Sequence, residues 1–155
     1  MRDLAALEAM FRRIQDHICA FLVEKDGGEY REDRWSYEKG GGGGVTRVWE
    51  HATLLEKGGV NFSSIAGPNL PGSAATQFAI PENTPFSAMG VSLVLHPWNP
   101  HVPTIHMNVR YFQAGAVWWF GGGIDLTPYY PEKKDVIAFH RALMALCERH
   151  NEPYA

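Results

Sequence analysis

Thr104, His106, Asn108 and Arg110 occupy every second position of one run, and Ile105, Met107, Val109 and Tyr111 fill the places between them. Alternation with period two predicts a strand with one apolar and one polar face. A face that lines up His, Asn and Arg is unusual for plain solvent decoration. The planar fork of Arg110 suits a propionate-type carboxylate, although a surface charge would read the same way. The run at 86 to 96 repeats the pattern. Met89, Val91, Leu93 and Leu95 take one face, and Gly90, Ser92, Val94 and His96 take the other.

Between these runs lies Pro97-Trp98-Asn99-Pro100-His101-Val102-Pro103, stiffened by three prolines. A hairpin symmetric about His101 would set His96 opposite His106 and Ser92 opposite Arg110. Opposed Cβ atoms then sit about 4.5–5.5 Å apart, so the two imidazoles could share one divalent metal or one ligand group. The Ser92 and Arg110 pair would lie roughly 13 Å further along the strands, at the other end of a large ligand. His96 precedes a proline and serves equally well as a turn residue. His140, on the apolar side of a later helix, reads as a core histidine or as a third metal ligand. Three histidines and an open position make a catalytic type of metal site, but the spacing 96, 106, 140 is not diagnostic. His17, His51, His101 and His150 carry no usable pattern, and Arg47 reads as a strand charge.

Trp118-Trp119-Phe120-Gly121-Gly122-Gly123-Ile124-Asp125-Leu126 is the second chemical stretch. Glycine inside a strand pattern marks a bulge or a close approach of a ligand to the backbone. A carboxylate among apolar neighbours holds its proton more tightly unless a cation or N–H donors meet it. Aromatic walls, a bare backbone floor and one acid suit a large flat ligand with N–H groups. An aromatic strand ending in a glycine turn, with Asp125 capping the next element, accounts for the same residues.

The elements that must position these groups are short and closely linked. Leu4, Leu7, Phe11, Ile14, Ile18 and Phe21 or Leu22 recur at helical spacing over 3 to 24, and Asp26-Gly27-Gly28 stops the helix. The Gly40–Gly44 run reads as a flexible connection or as a glycine lip over a ligand. Strands are expected at 45–50, 53–56, 59–63, 74–79, 86–96, 104–113 and 116–122. Hairpin-length links favour an antiparallel sheet over a parallel one. Residues 132 to 149 predict a second helix, with Val136, His140, Leu143 and Cys147 on one side.

The chain has 155 residues, 45% hydrophobic and 20% charged, which makes it a globular chain of one domain. A net charge of −3 argues against a nucleic-acid partner. The two cysteines, Cys19 and Cys147, fit neither a disulfide framework nor a zinc site, and suit a reducing compartment. No run is long enough to span a membrane and no leader pattern opens the chain, so a cytoplasmic location is expected.

Val60-Asn61-Phe62-Ser63, Met89 through Pro97, His106-Met107-Asn108-Val109-Arg110 and Trp118 through Pro128 together resemble oxygen-dependent coproporphyrinogen-III oxidases, as does Glu38 through Gly44. The resemblance covers the N-terminal half of that family's sequence, so 1–155 reads as one partial domain. The Lys-x-Trp-Cys and His-Arg-x-Glu-x-Arg-Gly-rich stretches of its C-terminal half are missing. It implies an α+β fold, an antiparallel sheet flanked by helices. It implies oxidative decarboxylation of two propionates of coproporphyrinogen III to vinyl groups by O2, giving protoporphyrinogen IX, CO2 and H2O2, in a homodimer. His106 falls at the proton-donor position and Asp125 at that of the acid meeting the pyrrole N–H groups. Ser92, Asn108, Val109 and Arg110 fall at substrate positions. His96, His106 and His140 match a divalent-metal set, and neither flavin nor nicotinamide is implied. The alternative is an inactive fragment that binds a tetrapyrrole or a partner. Half of such a sheet leaves open edges, so the isolated chain is expected to aggregate or to need a partner.

Overall fold

In the computed structural model, which describes residues 3–70, 76, 80, 81 and 83–150, six strands form one antiparallel sheet in sequence order. They are β1 (Arg31–Ser36), β2 (Gly41–Glu50), β3 (Leu55–Gly67), β4 (Phe86–Pro97), β5 (Thr104–Ala114) and β6 (Val117–Thr127). Helix α1 (Leu4–Asp26) precedes the sheet and α2 (Lys133–Glu148) follows it. The α+β expectation is met.

Helix α1 begins where the Asp3 carboxylate accepts from the Ala6 N–H at 3.0 Å. It ends at Gly27, whose φ of 69° is the left-handed cap glycine supplies. Its inner face is built by Phe11, Gln15, Cys19 and Leu22, which pack on Val45, Trp49, Val60, Phe62, Met89 and Val91. Of the alternatives Phe21 and Leu22, Leu22 takes the inner face and Phe21 is exposed, and Leu4, expected on that face, is exposed as well. Gln15, passed over as polar, is buried and donates from Nε2 to the carbonyls of Val45 and Val60, each at 2.9 Å.

Arg47 is more than a strand charge. It points to the helix side, where its guanidinium meets Asp16 at 2.7 Å and Glu32 at 2.9 Å and lies over the Tyr30 ring. The Arg47 hydrogen bond holds the Glu32 carboxyl below its ordinary range. Burial raises the neighbouring Cys19 thiol, partly offset by Arg47.

Several strand bounds differ from expectation for steric reasons. The Gly40–Gly44 run is not a flexible connection: Gly41 to Gly44 pair with β3, and Gly43 and Gly44 also pair with β1. A side chain at Gly44 would strike the Trp35 ring and the Phe62 carbonyl, and Gly42 has a φ of 90°. The two expected strands at 53–56 and 59–63 are one strand with an irregular register between Leu55 and Lys57. The polar β1 carried no alternation and was not expected. The candidate strand at 74–79 lies outside the described residues apart from Thr76.

The sheet has a helix-covered face and an open face. Register fixes the open face as a set of rows running across the strands. One row is Arg31, Val48, Gly59, Val94, His106, Asp125; the next is Asp33, Thr46, Asn61, Ser92, Asn108, Gly123; the next is Trp35, Gly44, Ser63, Gly90, Arg110, Gly121.

Candidate active site

Strands β4 and β5 are neighbours, and their polar positions share the open face, as the alternation predicts. The register differs by two residues from a hairpin centred on His101. His106 faces Val94, Ser92 faces Asn108, and Arg110 faces Gly90. The hairpin turns about Pro100 because the ladder closes at Leu95 and Ile105. A two-residue shift leaves every side chain on its face, whereas a one-residue shift would have turned them all over. His96 therefore lies beyond the ladder. Its Nδ1 is 3.4 Å from Thr104 Oγ1, and its ring meets that of His106 edge-on, with centroids 6.4 Å apart.

The glycine triplet is not a turn. It runs through the middle of β6, so Asp125 is a strand residue directly opposite His106. The His106 Nδ1 and the Asp125 Oδ1 are 3.0 Å apart, and the Thr127 hydroxyl donates to the same oxygen at 3.3 Å. With Nδ1 held by the carboxylate, Nε2 is left to take or give a proton. The side chains are 46% and 62% exposed, so the pair is accessible to a ligand laid on the sheet.

Ser92, Asn108 and Arg110 line a cleft of about 220 Å³ with Ser63, Ile65 and Phe112. Among the described residues, Arg110 meets no carboxylate. Asn108 Oδ1 is buried without a hydrogen-bond partner, a state that costs about 1–3 kcal/mol until a donor arrives. The Val109 side chain points the other way, into the helix-covered core, so its share in the cleft is backbone. Phe112 stacks on Trp119 at 4.3 Å and on Phe86 at 5.9 Å, which walls the Arg110 end. Trp118 and Phe120 fall on the opposite face, so only one ring of the expected aromatic wall stands over the site.

The floor of this face is bare. A Cβ at Gly123 would meet nothing within 4 Å, and one at Gly121 would make only ordinary contact with Trp119 and Arg110. Packing within the chain does not demand glycine at either position. At Gly122, which faces the other side, a Cβ would collide with the Asn108 carbonyl.

The structure does not bring the three histidines together: His96 and His106 are neighbours, and His140 lies apart from them. His140 sits on α2, exposed, against Phe139, and lines a separate cavity of about 200 Å³ that Asp125 also borders. Among the described residues no three His, Cys, Asp or Glu groups are grouped to hold a metal. His106 already spends one nitrogen on Asp125. Chemically, the arrangement can pass a proton at the His106–Asp125 pair and meet an anion at Arg110.

Thr46, Asn61 and Ser63 belong to the same rows, and sequence reading had not placed them in the site. The alternation Val60-Asn61-Phe62-Ser63 held the signal, since it matches that of β4. Among the described residues no helix is long and apolar enough to cross a membrane.

The sequence family described as Coproporphyrinogen III oxidase matches residues 6–155. An oxygen-dependent coproporphyrinogen-III oxidase of Dictyostelium discoideum is 52% identical over 92% of this chain and 49% of its own length. One of the same description from Parasynechococcus marenigrum is 49% identical over 93% of this chain and 40% of its own. A third, from a Synechococcus strain, is 50% identical over 90% of this chain and 39% of its own. The chain spans about half or less of the curated relatives it matches.

Proposed function

The chain belongs to the coproporphyrinogen III oxidase family, and we propose that its open face binds coproporphyrinogen III and supports the oxidative decarboxylation of its propionates. The observation that carries this reading is the alignment of three chemistries in adjacent rows. The His106–Asp125 pair stands in one, the unpartnered acceptor of Asn108 in the next, and Arg110 in the third. A macrocycle laid over Gly121 and Gly123 would meet all three.

Each turnover exchanges one propionic arm and one O2 for a vinyl group, CO2 and H2O2. Two electrons leave the arm and the ring, and O2 accepts them with two protons. Arg110 and Ser92 hold a carboxylate at the rim. Asn108 Oδ1 and the Asp125 carboxylate accept from pyrrole N–H groups, and Asp125 draws proton density from the ring, enriching it in electrons. His106 Nε2 moves a proton at the reacting arm or at the reduced oxygen. The macrocycle itself excludes water from the floor it covers. The histidine positions 96, 106 and 140 remain a proposed divalent-metal set, and none of the steps above is routed through it.

A cytoplasmic, homodimeric protein is part of the same proposal, supported by two free cysteines and by the exposed apolar strand β6. The second reading is a chain that holds a tetrapyrrole without turning it over, favoured by the share of its relatives' length that it spans.

The test is an aerobic assay of this chain with coproporphyrinogen III, with decarboxylated products separated by chromatography. Turnover by the native chain and none by a folded Asp125→Ala variant is expected. Near-native turnover by that variant removes Asp125 from the reaction. Binding without turnover in the native chain assigns the second reading.

A further inference from the structure

Lys57 lies on the open face, in step with Gly59, Asn61 and Ser63 along β3 and directly across from His96 on β4. It is exposed, and among the described residues it makes no ion pair. Glu50 sits opposite it on β2 without engaging it. Among the described residues Arg110 makes no ion pair either, and register puts it opposite Gly90. Counted along β4, His96 and Gly90 are six residues apart. At about 3.4 Å per residue the two cations stand roughly 20 Å apart along the strands. Their rows flank the row of the dyad and the row of Asn108. Between them the face carries Val94 and His106, while Gly59, Gly121 and Gly123 keep the surface low on either side.

We propose that Lys57 is the second carboxylate anchor of this site, holding an acidic arm at the histidine end while Arg110 holds another at the aromatic end. Resting on the tetrapyrrole reading above, it specifies the ligand further. A small mono-acid reaches one anchor only. A macrocycle with acidic arms on opposite sides reaches both and is fixed across the dyad.

The test is fluorescence-quenching titration of this chain with coproporphyrin III, an unreactive tetra-acid, and with its tetramethyl ester. The variants are Lys57→Gln, Lys57→Arg and Glu50→Gln. Loss of about fivefold in affinity for the acid is expected for Lys57→Gln, as for an exposed charge pair. Lys57→Arg should restore it, Glu50→Gln should not weaken it, and ester binding should ignore all three. Native protein that binds the acid equally well with Lys57→Gln overturns the Lys57 anchor and leaves the tetrapyrrole reading standing. Equal loss for acid and ester assigns Lys57 to packing and overturns it as well. Native protein that fails to bind the acid overturns both.

Discussion

At the residue scale, three adjacent glycines have different reasons to be glycine. Gly122 is held by the chain itself, since a Cβ there would enter the Asn108 carbonyl. Gly123 meets no such limit, yet glycine in a strand interior weakens it relative to alanine by about 0.5–1 kcal/mol. A position that sacrifices stability with no internal reason points to an external one. Gly123→Ala is therefore expected to leave the urea midpoint unchanged or slightly raised. The same variant should lose about tenfold in coproporphyrin III affinity, because a methyl then stands where the macrocycle rests. Gly122→Ala should do the reverse, losing stability first. If Gly123→Ala binds as the native chain does, no ligand lies on β6 at this point. The sequence showed that these glycines were special but not in which sense, because facing direction comes only from register with β5.

Elements explain why part of the fold was legible and part was not. β4 and β5 alternate cleanly, so their faces followed from period two alone. Their register did not, because a proline-rich loop permits more than one closing pair and each two-residue slip keeps the same faces. β1 escaped because an exposed edge strand has no apolar side to alternate. Helix α1 was found from its period, but Gln15 was hidden by its polarity and is one of its most buried residues. Its amide ties the helix to β2 and β3 through two carbonyls. Gln15→Ala is expected to cost about 2–3 kcal/mol, from two hydrogen bonds and the space left behind. Urea denaturation with an unchanged slope would measure it, and Gln15→Leu should recover part of the loss by filling the volume. A loss below ~0.5 kcal/mol in the alanine variant would mean the amide only occupies space.

For the whole molecule, one helix covers one side of a six-stranded sheet, and the cover stops short of β6. Trp118, Phe120 and Ile124 project from the helix side of that strand into solvent, and Val136, Ile137, Met144 and Leu146 do so from α2. β6 also keeps an outer edge that no described strand pairs with. Both features drive association, one through apolar area and one through unmet backbone groups. They respond differently to charge. Sedimentation velocity should find the native chain associating at tens of micromolar, an order-of-magnitude range for exposed patches and edges. Trp118→Lys with Phe120→Lys should make it monomeric with little change in melting temperature, since neither side chain is buried. These substitutions leave the edge backbone untouched. Association that persists in the double variant would therefore assign contact to strand pairing along β6 or to the exposed apolar residues of α2. Association that disappears would assign it to the uncovered face.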